Sequence, residues 1–282
     1  MTAEAEVMVR GLDRPESVVW DPAGCIYAGN HTGEILRYSI ETRELTQVAD
    51  TGGIVLGLAL DGRGFLYWCD QTSKCVWKID LASSARERVS GGTADWPMQT
   101  PNYLVFTDDG VLFVSDSGSW DTGGGRLFAI QHGTTSAVEK SESDAYPNGL
   151  AIDPAHDFLY MVESKLPGVV RFPLRSGGIV GSREVFWLAP LDSVPDGLAF
   201  TSAGDLVVAF FQPSQVVLVS NFGETTLAMD AHDATLAGPT NVAFFGDGLR
   251  RLVAANIRGT HLSEIPLEPA LGVVGAAMRY PA

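Results

Sequence analysis

Cysteine is scarce in this chain. It occurs three times, at Cys25, Cys69 and Cys75, an odd number without the paired short spacings of a zinc site. A disulfide framework and a thiolate cage are both excluded, and reduced thiols are the simplest reading, ahead of a Cys69–Cys75 bridge. Basic residues are scarce too: 19 Lys and Arg face 34 Asp and Glu, a net charge of −15. Such a surface disfavours nucleic acid and anionic membranes as partners and favours cations. No apolar run approaches the roughly 20 residues of a membrane span. The start, Met1-Thr2-Ala3-Glu4-Ala5-Glu6, lacks a basic region and an apolar stretch, so no signal peptide is expected and a cytoplasmic location is. Sustained 3.6-residue periodicity is absent. Gly123-Gly124-Gly125 is followed by no helix, so it is no phosphate cradle. A Gly-x-Ser-x-Gly elbow between strand and helix is also missing.

What the chain does have is a repeated phrase. Tyr146-Pro147-Asn148-Gly149-Leu150-Ala151-Ile152-Asp153 has a near copy in Val194-Pro195-Asp196-Gly197-Leu198-Ala199-Phe200. Looser copies are Thr100-Pro101-Asn102-Tyr103-Leu104-Val105-Phe106 and Arg14-Pro15-Glu16-Ser17-Val18-Val19-Trp20-Asp21. Aligning on these puts equivalent positions at Glu16, Leu56, Asn102, Asn148, Asp196 and Thr240, at intervals of 40, 46, 46, 48 and 44 residues. A period of this length marks a solenoid, propeller or array. Each repeat reads as a short apolar strand, a Gly/Asp/Pro turn, a β-branched and aromatic strand, then a third, alternating one. Most repeats add a polar fourth strand. The sequence therefore predicts an all-β fold, a six-bladed β-propeller with four-stranded antiparallel blades, as one domain over residues 1–282. The last repeat is short of its outer strand, which residues 5–9 are expected to supply. The stretch 140–144 reads as a solvated outer strand or loop.

In a propeller the six equivalent positions lie near the axis at one end. Four of them carry oxygen: Glu16, Asn102, Asn148 and Asp196. Two carboxylates and two amides form a hard set without thiolate or imidazole, suited to Ca²⁺ first and to Mg²⁺ or Mn²⁺ second. Calcium takes about 6–8 oxygens, which leaves positions for water and substrate. Pro-Asn-Gly and Pro-Asp-Gly also serve as β-turns, with Asn148 and Asp196 merely shaping connections between blades. Glu16 favours the cation, because a glutamate buried ahead of an apolar run without a partner is costly. The loops at the same end bring Asp116, His31 and His261 as proton-shuttle candidates and Trp120, Tyr103, Phe211 and His261 as substrate contacts.

At these residues the chain resembles the senescence marker protein/gluconolactonase/luciferin-regenerating enzyme family, the regucalcin-like six-bladed propellers. The resemblance runs through Pro15-Glu16, Pro101-Asn102, Ser115-Asp116, Pro147-Asn148-Gly149-Leu150-Ala151 and Pro195-Asp196-Gly197-Leu198-Ala199. It implies a divalent metal, usually calcium or zinc, on Glu16, Asn148 and Asp196. It makes Asn102 a ligand or substrate contact and Asp196 the general base of a lactone hydrolase. Sugar-lactonase members have an Arg-x-Asn-Asp pattern where this chain reads Thr100-Pro101-Asn102-Tyr103. The expected substrate is accordingly a small molecule less polar than a sugar lactone. A non-hydrolytic biosynthetic enzyme and a non-catalytic calcium-binding propeller are the alternatives.

Overall fold

The turn-punctuated strands assemble into antiparallel sheets whose innermost strands pack side by side in a closed ring. The structure is a computed structural model and describes residues 5–140, 145–176, 178–230, 235–266, 273–277 and 281. Of the stretch 140–144, residue 140 ends the outer strand Thr134–Lys140 and the others lie outside these residues. The innermost strands are Pro15–Asp21, Val55–Leu60, Pro101–Phe106, Pro147–Ile152, Val194–Phe200 and Pro239–Phe245, for blades 1 to 6. In blades 1, 2, 3 and 5 the chain then proceeds outward strand by strand; blade 4 departs from the expected four strands, since Gly168–Arg175 pairs with both the two-residue strand Gly178–Ile179 and the outer strand Glu184–Leu188. Blade 6 is closed by Glu6–Arg10, which pairs antiparallel with His261–Pro266. The fold is a six-bladed β-propeller, as the repeat predicts.

Each blade buries its two faces against its neighbours, so apolar clusters lie between blades. Val18, Trp20 and Ile26 of blade 1 meet Phe245 and Val253 of blade 6. Leu150 and Met161 of blade 4 meet Phe113 and Leu127 of blade 3. Alternation of apolar residues along each strand produces these clusters, because successive side chains leave a sheet on opposite sides. All three cysteines are buried free thiols. Among the described residues no helix is long and apolar enough to cross a membrane.

Two local features place the site. First, every innermost strand slips register against its second strand near its start. The slips fall at Pro15/Ser17, Val55/Leu58, Pro101/Tyr103, Pro147/Leu150, Pro195/Leu198 and Pro239/Asn241. A bulge re-aims the side chain it frees from pairing, and each slip sits at one of the six equivalent positions. Second, the glycines of the repeated phrase allow close approach. A Cβ on Gly57, Gly149 or Gly197 would lie 2.6, 2.5 or 2.5 Å from the carbonyl oxygen of Asn102, Asp196 or Thr240 in the next blade. Pro147-Asn148-Gly149 and Pro195-Asp196-Gly197 are thus strand segments, not the turns their composition also allows.

Candidate functional site

The freed positions Glu16, Leu56, Asn102, Asn148, Asp196 and Thr240 are all buried at one end of the axis. Glu16 and Asp196 come from blades 1 and 5 yet act on one another. Burial, then the Glu16 charge, pushes the Asp196 carboxyl well above the ordinary carboxylate range, while the Asn148 amide pulls it down. His31 beside Glu16 and the Asn148 amide beside Asp196 are the partners the protein supplies, and two buried carboxyls this close still favour a cation between them. Glu16, Asn102, Asn148 and Asp196 are the residues that could hold a divalent cation, and their chemistry fits one: two carboxylates with two amides. Among the described residues no three His, Cys, Asp or Glu side chains gather into a metal-binding group, so the two amides are indispensable to any such set.

Side chains one strand outward hold these groups. The second strands end at Asn30, Asp70, Asp116, Glu163, Gln212 and Asn256. Asp116 spends its oxygens on the backbone: Gln99, Thr100 and Gly118 donate N–H groups at 2.6, 2.7 and 3.0 Å. Burial raises its carboxyl and these three donors lower it, with burial prevailing. Asp116 therefore anchors the linker that delivers Asn102. Asn256 does the same for the linker to Thr240, accepting from Ala237 N at 2.9 Å.

The residue just after these strand ends reaches back to the axis. His31 Nε2 lies 3.2 Å from Glu16 Oε2. Ser117 Oγ accepts from Asn102 Nδ2 at 2.9 Å, and Ser164 Oγ accepts from Asn148 Nδ2 at 3.1 Å. Tyr103 turns down the channel instead. Its hydroxyl accepts from Asn241 Nδ2 at 2.6 Å, and Asn241 Oδ1 accepts from Val18 N at 3.1 Å. Burial above all pushes the Tyr103 phenol up to about 12, against the Asn241 bond, with the Asp196 charge adding to the rise. The pair spans blades 3 and 6 and floors the cup. Below it lies an apolar cavity of about 270 Å³, lined by Val18, Leu58, Val105, Leu150, Leu198 and Val242 among others.

The rim above the oxygens is aromatic. Tyr146, at a left-handed φ of 53°, meets Trp120 edge-on at 4.9 Å between ring centroids. Burial, then the charges of Asp196 and Glu16, pushes the Tyr146 phenol to about 12, while Ser117 pulls it down. Lys165 Nζ donates to the Trp120 carbonyl at 2.5 Å. The two remaining candidates are engaged elsewhere. Phe211 lies 4.1 Å below the Arg258 guanidinium, and His261 Nε2 is 3.3 Å from the Thr235 carbonyl. Sequence reasoning assigned no role to Tyr146, Ser117, Ser164 or Asn241, although it puts the loops carrying the two serines at this end of the axis. The two serines had a legible signal: with His31 they stand 15 or 16 residues after the axial residue they touch.

Fold and site together define a six-bladed β-propeller with a ring of buried oxygen side chains at one end of its axis. The model for the SMP-30/Gluconolactonase/LRE-like region matches residues 12–257, and the chain belongs to that family. It is 29% identical over 146 residues to 6-deoxy-6-sulfogluconolactonase of Pseudomonas putida, covering 51% of this chain and 49% of that one. It is 24% identical over 209 residues to the adipocyte plasma membrane-associated protein Hemomucin of Drosophila melanogaster, covering 64% and 35%. The chain thus spans about a third to a half of the length of these relatives. Its fold superimposes on the calcium-binding protein regucalcin of Agrobacterium tumefaciens with a TM-score of 0.81, at 19% identity, covering 99% and 97% of the chains.

Proposed function

We propose that the chain is a divalent-metal-dependent hydrolase of a lactone or related cyclic ester. The observation that carries this reading is the pair of buried carboxyl groups, Glu16 and Asp196, which share one end of the axis with two buried amides. Glu16, Asn102, Asn148 and Asp196 would hold the cation, Ca²⁺ first, with Zn²⁺, Mg²⁺ or Mn²⁺ as the other members of the range. When bound, such an ion polarises an ester carbonyl and offsets the charge that develops on its oxygen.

The protein's own groups supply the rest. Asp196 is the candidate general base, a buried carboxylate beside the ion and the attacking water. The water oxygen bonds to the carbonyl carbon, the ring C–O bond breaks, and the proton held by Asp196 passes to the leaving oxygen. The product is the open hydroxy acid. The floor made by Tyr103 and Asn241 closes the cup to the channel below. Trp120 and Tyr146 form an apolar wall for the non-reacting part of the substrate. This wall, and Thr100 and Tyr103 where sugar lactonases have Arg and Asp, point to a substrate less polar than an aldonolactone. The same two features keep a non-hydrolytic use of the cup as the second reading.

The test is metal content together with turnover of a lactone panel, for wild type and Asp196→Ala. The expected result is about one bound divalent ion per chain and hydrolysis of aryl- or alkyl-substituted lactones, both lost in the variant. Metal without hydrolysis of any lactone or ester would favour the second reading or a calcium-binding role. A wild type that takes up no metal sinks the proposal.

A further inference from the structure

We propose that Ser117 and Ser164 are positioning residues that turn the amides of Asn102 and Asn148 so that both carbonyl oxygens face the axis. The proposal rests on the metal reading above and adds what fixes the ligands.

A serine hydroxyl has a single hydrogen to give. Ser117 Oγ lies 2.6 Å from the Pro147 carbonyl, and Ser164 Oγ lies 2.7 Å from the Pro195 carbonyl. A carbonyl only accepts, so each hydroxyl hydrogen is committed there. What remains on Oγ is acceptor capacity. The asparagine group facing it must then be NH₂ and not oxygen, because two acceptors would repel. Asn102 and Asn148 lie in this relation to their serines, at 2.9 and 3.1 Å. Both serines are 1% exposed, so water does not compete for the role. The two amide orientations are therefore dictated: each NH₂ is the group held by its serine, that of Asn148 also reaches the Asp196 carboxyl, and Oδ1 is the atom left over.

The bonds also join blades. Ser117 belongs to blade 3, holds the Asn102 side chain of its own blade and grips the peptide just before Asn148 in blade 4. Ser164 belongs to blade 4, holds Asn148 and grips the peptide just before Asp196 in blade 5. Three of the four axial oxygen residues are tied into one chain of contacts. Each serine thus influences two neighbours, and loss of either hydroxyl frees one amide to flip and one strand start to shift. Outer partners of metal ligands commonly govern affinity by about 10–100-fold.

The experiment is calorimetric titration of the full, chelator-stripped chain with CaCl₂, for wild type and Ser117→Ala, Ser117→Thr, Ser164→Ala and Ser164→Thr. Melting in excess chelator is measured alongside. Each alanine variant should lose about 10–100-fold in calcium affinity, and its melting temperature in chelator should fall by a few degrees, because a buried carbonyl and an amide N–H lose their partner. Each threonine variant, which keeps the hydroxyl, should recover most of that affinity. The idea fails if the alanine variants bind calcium as wild type does, or if threonine loses as much as alanine, which would assign the effect to packing. A wild type that takes up no calcium removes both this proposal and the metal reading. Binding by wild type with unaltered alanine variants removes this one alone.

Discussion

Asp196 and Glu16 face one another from blades 5 and 1, and the energetic consequence belongs to the residues themselves. With burial and a like charge both acting on Asp196, the carboxylate costs stability whenever no cation is bound. Asp196→Asn should therefore raise the melting temperature in chelator by about 2 °C, from relief of about 1 kcal/mol, while abolishing stabilisation by added calcium. A fall in chelator would mean that the protein itself balances the charge. His261 gives a second residue-scale outcome. It packs against the Thr235 carbonyl with Arg10 nearby, and burial above all lowers its pKa, Arg10 adding and Thr235 opposing. Its folded pKa lies below its unfolded one, so the unfolded chain binds the proton more readily. The stability it contributes is present above the unfolded value of about 6.5 and declines as pH falls through that region. His261→Gln should flatten the dependence of unfolding free energy on pH between about 5 and 7, read by denaturant titration.

At the scale of elements, the innermost strands deliver the site because they bulge and because they crowd. Gly149 sits where a Cβ would fall 2.5 Å from the Asp196 carbonyl oxygen and 2.7 Å from Gly197 Cα. Gly149→Ala should force blades 4 and 5 apart, costing about 1–3 kcal/mol of stability as overpacking does. It should also weaken calcium binding, since Asn148 and Asp196 would no longer keep their spacing. Thermal melting and calcium titration on the same samples would show whether the two losses travel together. A stable variant with intact affinity would mean that the strands can part without disturbing the oxygens. The phrase Pro-Asn-Gly thus records three separate needs: a carbonyl for the serine, an amide for the axis and an absent side chain for the neighbour.

For the whole molecule the decisive contact is the ring closure between the two ends of the chain. Glu6–Arg10 completes blade 6 by pairing with His261–Pro266. Deleting residues 1–10 would leave an unpaired edge strand and open the seam between blades 6 and 1, where Leu12, Val18 and Trp20 pack on Phe245. The expected outcome is aggregation, or a melting temperature lower by about 10 °C or more, with activity lost in proportion to folded protein. A truncated chain with wild-type melting would show that the ring holds without its closing strand. Closure also explains why a site assembled from blades 1, 3, 4 and 5 can be rigid: each of its members is held by strands on both sides.

Period and alternation were enough, in the sequence alone, to determine the propeller, the blade count, the closing strand and the four oxygen positions. These features are local or regularly repeated, and a repeat preserves them in one dimension. Only the tertiary structure decided which loop residues reach the axis. Asp116 turned out to be an anchor for backbone N–H groups, Tyr103 a floor bonded to Asn241, and His261 a partner of Thr235. Tyr146, Ser117 and Ser164 took places at the cup that composition did not announce. The reason is geometric: a strand's period says which face a side chain leaves from, but which groups then meet depends on the twist and bulge of several blades at once. Hydrogen-bond capacity added the last constraint, since the direction of an asparagine amide follows from its neighbours and not from its own identity.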